Sequence, residues 1–154
     1  MNGGKSRAMT WRMALAGIAL AIGAGAVWWM VNSPPRIDSG DPRQVALGET
    51  IYRAQCARCH GVNLEGQPDW RSPLSTGRLP APPHDETGHT WHHPDDVLRR
   101  IVTEGPAFYA TLGVKTDMPA FEGKLSDRDI AAVLAYIKSR WPPIIQERRA
   151  QTNP

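Results

Sequence analysis

Cys56-Ala57-Arg58-Cys59-His60 decides how the rest of the chain is read. Two thiols are separated by two residues, and a histidine follows the second directly. Three common uses of C-x-x-C fit poorly. A redox dithiol expects a strand-to-helix context, which the flanking sequence lacks. A zinc half-site expects a second pair, but the chain has only two cysteines. A plain disulfide leaves His60 without a role. C-x-x-C-H is instead the attachment pattern for c-type haem. The thiols add across the two vinyl groups of one porphyrin, so they must sit a helical turn apart. The histidine then falls under the iron as an axial ligand. Cys56, Cys59 and His60 are therefore the expected cofactor-binding residues, with His60 a metal ligand.

Upstream of the motif, a helix is expected to start at Asp41, with Pro42 in its first position and Gln44 completing a capping box. Leu47, Ile51 and Ala54 form one stripe, with Gly48 and Tyr52 beside it, and the helix runs into Cys56. Downstream, residues 61–93 hold many turn formers and no sustained period, which reads as a long loop. A second helix starts near Pro94, carries Asp95 and Asp96 in its first turn and turns Val97, Ile101 and Val102 inward. Gly105 and Pro106 end it, and a second loop runs through Met118. The last helix is the clearest. Ser126 and Asp129 cap it, Ile130, Val133, Leu134, Ile137 and Trp141 keep helical spacing, and Pro142-Pro143 stops it. The tail beyond is expected to add one more helical turn. Three helices and two long loops make a small core for about 120 residues, so a large apolar cofactor would give the loops something to pack on.

Haem iron in such a site takes a sixth ligand. Met1, Met9, Met13 and Met30 lie in the N-terminal segment, which leaves Met118 as the candidate in the remainder. Pro119 pushes Met118 toward extended backbone, as suits a strap across a haem edge. Thioether ligation raises the reduction potential and closes the iron to small molecules.

The chain has 154 residues and a formal net charge of +3. Lys5, Arg7 and Arg12 are the charged residues of the first 31; the remaining 15 basic residues match 15 acidic ones. The excess positive charge thus sits in the N-terminal tail, which removes the basis for nucleic-acid binding. A neutral outer part offers no global steering field, so docking would depend on a local patch around the haem edge. Met13 to Val31 carries no charge and as a helix spans roughly 28 Å, close to the hydrocarbon thickness of a bilayer. Basic residues precede it, so the N-terminus is expected to stay cytoplasmic and the remainder to face outward. Ala24-Gly25-Ala26 offers a competing signal-peptide cleavage site. The expected organisation is an anchor or uncleaved signal over 1–31, a Pro-containing linker over 32–40, a folded domain over 41–142 and a C-terminal extension over 143–154.

Taken together, residues 40–142 resemble a monohaem class I cytochrome c of the bacterial, membrane-anchored type. The order matches: capped helix, CARCH, loops, helix, Met-Pro strap, last helix. Gly48 and Tyr52 match the family's small-then-aromatic positions on its first helix, VLAYIKS (133–139) its last helix, and GKLSD (123–127) after MPAF bacterial members. The resemblance implies an all-α fold of three or four helices and long loops around one covalent haem. It also implies electron transfer, with His60 and Met118 as axial ligands. The first and last helices of the family cross in contact, where Gly permits close approach. A backbone carbonyl near a proline, at Pro80 or Pro82, would accept from the Nδ1 of His60. The loop LPAPPHDETGHTWHHPDD departs from the smallest members and carries His84, His89, His92 and His93. These invite a second metal site; against it stands a solvated loop in which His93 caps the second helix and another histidine bonds a haem propionate. Trp70, Arg71, Arg78 and Trp91 are candidate propionate partners.

The reading that follows is a one-electron carrier rather than an enzyme, with its haem domain on the periplasmic face of the inner membrane. Single-pass contact with lipid runs through residues 13–31, and the partners are redox proteins. The alternatives are a haem-bearing subunit of a larger oxidase or dehydrogenase, and a haem enzyme or gas sensor in which Met118 leaves the iron.

Overall fold

The computed structural model describes residues 3–152, with side chains described at residue 15 and from 17 to 149. The chain divides into two compact units, residues up to Pro34 and Pro35–Pro154. The first unit is one long helix, α1 (Gly3–Asn32). Leu20, Ile22, Val27, Trp28, Trp29, Met30 and Val31 are all exposed on it. Consecutive residues point to different sides of a helix, so this apolar surface runs right round it. Among the described residues no helix is long and apolar enough to cross a membrane. The expected span Met13–Val31 lies partly outside the residues whose side chains are described.

The second unit contains α2 (Pro42–Gln55), a one-turn α3 (Ala57–His60), α4 (Asp95–Glu104), a short α5 (Pro106–Ala110), α6 (Asp127–Ser139) and α7 (Pro143–Thr152). Among the described residues the regular structure is helical, and the one extended pairing is an isolated bridge between Leu79 and Thr116. Asp41 caps α2 by accepting from the Arg43 N–H. The expected capping box does not form there. Gln44 reaches back instead, donating to the Arg36 carbonyl and accepting from the Asp38 N–H, which ties down the segment before the helix. The box does form on α6, between Ser126 and Asp129.

α6 is the centre of the unit. All eight residues from Ile130 to Ile137 are buried, so it packs on two sides rather than along one stripe. One face joins Tyr52, Leu64, Trp141 and Ile145; the other joins Ile37 and Leu98. Each such side chain contributes about 1.5–3 kcal/mol by leaving water. On α2 the buried positions are Gly48 and Tyr52, whereas Leu47 and Ile51 are half-buried and Ala54 is exposed. A Cβ on Gly48 would lie 1.9 Å from the Ala132 carbonyl oxygen, so α2 and α6 touch backbone to backbone where only glycine fits. On α4, Leu98 is buried, while Val97, Ile101 and Val102 are half-buried.

The tail forms about three helical turns rather than one. α7 docks through buried Ile145 and through Arg149, whose guanidinium donates to the His93 carbonyl and to Asp95. Lys138 pairs with the same Asp95 carboxylate, so one anion of α4 ties down α6 and α7.

Candidate functional site

α2 delivers the motif. The Cys56 N–H closes its last turn on the Tyr52 carbonyl at 2.8 Å. The chain then tightens into α3, where the His60 N–H bonds the Cys56 carbonyl at 2.9 Å. Cys56 and Cys59 are half-buried free thiols on this single turn. Burial, with a smaller effect from Cys59, pushes the Cys56 thiol up to about 11. A redox dithiol needs the opposite shift, toward thiolate. Tyr52, wholly buried, donates its hydroxyl to the Gly61 carbonyl at 2.8 Å and so fixes the residue after the motif from the helix before it.

His60 is buried, and its Nδ1 lies 2.8 Å from the Pro82 carbonyl oxygen, 22 residues away. Pro82 rather than Pro80 is therefore the partner. A carbonyl can only accept, so Nδ1 carries the proton and the Nε2 lone pair is free to bind a metal. Burial lowers the basicity of the ring, and the Pro82 bond partly opposes this. The ring is thus held as neutral imidazole in the tautomer a metal ligand requires.

Met118 lies on a strap pinned from two sides. On one side the Leu79 N–H donates to the Lys115 carbonyl at 3.0 Å, and Arg78 reaches the Thr116 carbonyl and the Asp117 carboxylate. On the other, the Phe121 N–H donates to the Val102 and Thr103 carbonyls at the end of α4. Gly105 has φ +52°, and a Cβ there would lie 2.6 Å from the Ala120 nitrogen, so only glycine lets the strap lie this close. Met118 is half-buried, with its N–H on the Thr116 hydroxyl.

The four loop histidines face different partners. His84 stacks on His60, with ring centroids 4.0 Å apart. His89 stacks on Trp70 and meets the edge of His93. His92 stacks on Trp91 at 3.6 Å. Among the described residues no group of three or more His, Cys, Asp or Glu side chains is gathered to hold a metal. His93 does not cap α4; Pro94 occupies that position without a side-chain bond.

The candidate propionate partners separate in the same way. Trp70 stacks on His89 and carries the Arg71 guanidinium over its ring, and Arg78 is committed to the strap. Trp91 packs against the same apolar cluster as Cys56 and Ala57, and its buried indole Nε1 has no hydrogen-bond partner among the described residues. Leaving a donor so costs about 1–3 kcal/mol. An acceptor carried in by a cofactor, such as a haem carboxylate, would relieve it. Free thiols one turn apart, a free Nε2 and an orphaned donor make a set of groups that fits haem c. No motif logic singled out His84 as the neighbour of His60; the proline-histidine adjacency at 82–84 was the available signal.

A family model described as Cytochrome c matches residues 45–141. Among similar proteins, cytochrome c4 of Azotobacter vinelandii is 25% identical over 118 residues, covering 71% of this chain and 50% of that protein. The cbb3-type cytochrome c oxidase subunit CcoP of Azospirillum brasilense is 32% identical over 101 residues, covering 64% of this chain and 29% of that one. Cytochrome c6 of Diacronema lutheri is 27% identical over 96 residues, covering 62% of this chain and 95% of that one. The match thus spans half of the cytochrome c4 and under a third of the oxidase subunit. No solved structure matches comparably.

Proposed function

The chain belongs to the cytochrome c family, and from that premise we propose that it is a membrane-tethered one-electron carrier with His60 and Met118 as axial ligands of its single haem. The observation that carries this reading is the 2.8 Å contact from His60 Nδ1 to the Pro82 carbonyl, which leaves Nε2 as a preset metal ligand. Haem c supplies a one-electron ferric/ferrous couple when bound. The chain's part is to hold that group still. Cys56 and Cys59 anchor it covalently, and Pro82 keeps the His60 ring in one tautomer. The pinned strap presents the Met118 thioether, and a ligand set that does not change with oxidation state keeps reorganisation small.

The tether rests on the uncharged run Met13–Val31, the basic residues before it and the continuous α1. It would place residues 1–31 as a single-pass anchor in the inner membrane, in contact with lipid through 13–31, and the haem domain (41–142) in the periplasm. The C-terminal extension (143–154) goes with that domain. There the tether would raise the effective concentration near redox partners at the membrane. The CcoP relative favours a second reading, a haem-bearing subunit of an oxidase complex. Mild detergent extraction separates the two, because a carrier leaves as a monodisperse monomer and a subunit leaves with partners.

The ligand set is tested by the ferric absorption spectrum of the exported holoprotein and of Met118→Ala. A low-spin spectrum with a sulfur-to-iron band that Met118→Ala abolishes is the expected result. A high-spin wild type, or a band that survives the substitution, would overturn Met118 as ligand.

A further inference from the structure

His84 has no part in haem attachment, yet it makes the closest ring contact of His60. Its imidazole lies nearly parallel to that of His60, at an interplanar angle of 20° and a centroid distance of 4.0 Å. Four groups hold it there. Its Nδ1 is 2.8 Å from the Thr90 hydroxyl, which also lies 3.4 Å from the Pro83 carbonyl. The His84 N–H donates to the Leu64 carbonyl at 2.7 Å, and its carbonyl accepts from Trp141 Nε1 at 2.8 Å. Tyr52 meets the ring edge-on at 6.4 Å. Leu64, Trp141 and Tyr52 are each at most 2% exposed, so the anchors of His84 belong to the part of the unit least free to move.

The Pro82 bond alone does not fix the ring plane of His60. A hydrogen bond prefers to lie within about 30° of linear and weakens steeply only beyond about 60° of bend. A flat neighbour in contact with the ring face resists the tilt and rotation that the bond allows. Pro82 and His84 belong to one three-residue segment, so a single stretch of loop restrains the ring at its edge and on its face. We propose that His84 is a positioning residue for the proximal ligand, fixing the plane in which His60 presents Nε2. The proposal rests on His60 being that ligand, and it assigns a role to a loop histidine that motif and family leave without one.

The plane of an axial imidazole sets the spread and order of the haem methyl resonances in the ferric proton NMR spectrum. The experiment compares this pattern, and the reduction potential, in wild type, His84→Leu and Thr90→Val holoprotein. His84→Leu keeps apolar volume and removes the flat ring; Thr90→Val keeps shape and removes the hydroxyl. Both are expected to keep covalent haem and a low-spin spectrum. His84→Leu should reorder the methyl resonances and shift the potential, and Thr90→Val should do so less in the same sense. A merely structural role would lower the melting temperature and leave the methyl order alone, and a His84→Leu pattern superimposable on wild type would overturn the proposal. If His84→Leu fails to mature, Thr90→Val carries the test, and its unchanged pattern would overturn the proposal equally. A wild type without a histidine-ligated, low-spin spectrum would refute the ligand assignment itself, before any variant is compared.

Discussion

The two sides of the site are held by different physics. On the His60 side the restraints are buried: the Pro82 carbonyl, the His84 stack, and the bonds from the His84 backbone to the Leu64 carbonyl and the Trp141 indole. On the Met118 side, buried Phe121 holds one end of the strap to α4, but the restraints at the other end are more exposed. Arg78 and Asp117 retain 46% and 74% side-chain exposure, and the Leu79–Thr116 bridge is isolated. Exposed ion pairs are worth roughly 0–1 kcal/mol, whereas breaking a buried hydrogen bond strands its partner and costs more. With His60 and Met118 as the proposed ligands, the His60 side is expected to stay fixed and the strap to open first. A carrier of the proposed kind would gain from this, because covalent attachment would keep the haem in place whenever the strap loosened.

Four substitutions test that contrast. His60→Ala should have the largest effect, abolishing the low-spin spectrum and most holoprotein yield, both read from haem-stained protein and absorption. Met118→Ala should keep covalent haem but open the iron, seen as a high-spin ferric spectrum, prompt CO binding by the ferrous form and a lower reduction potential. Gly105→Ala should push the strap off α4, because the new Cβ meets the Pro119–Ala120 backbone and the φ of +52° disfavours alanine. A loss of more than about 1 kcal/mol in chemical denaturation is expected, together with faster CO entry. Arg78→Ala should be mildest. It should change global stability by at most about 1 kcal/mol while weakening the sulfur-to-iron band more than it lowers the melting temperature. Equal losses of the band and of global stability would mean that the strap does not open as a separate unit.

How much of this the sequence foretold follows the same division between local and tertiary causes. CARCH, the Ser126–Asp129 box and the α6 periodicity are local patterns, and they read correctly. Gly48 and Tyr52 were legible through resemblance, and their close approach to α6 has a steric reason. α7 was underestimated because its stability lies elsewhere: Ile145 enters the core, and Arg149 binds the Asp95 carboxylate of α4. Leu98 and Val97 are neighbours on a helix edge, and the packing of Ile37 against Leu98 decides which is buried. Gln44 had the right spacing for a capping box, but the segment from Arg36 to Asp38 offered it two partners instead. Pro80 and Pro82 are the same residue type two positions apart, so only the path of the loop shows whose carbonyl reaches His60. The stack of His84 on His60 is tertiary in the same sense, since no spacing rule relates positions 60 and 84.

Whether Met118 closes the iron is decided by CO binding to the reduced holoprotein, followed by stopped-flow absorption in wild type and Arg78→Ala. Wild type is expected to bind CO slowly, at a rate limited by strap opening and independent of CO concentration. Arg78→Ala should raise that limit while the His60-ligated, covalently bound haem is retained. A wild-type rate that is fast and proportional to CO concentration would mean that Met118 does not close the iron.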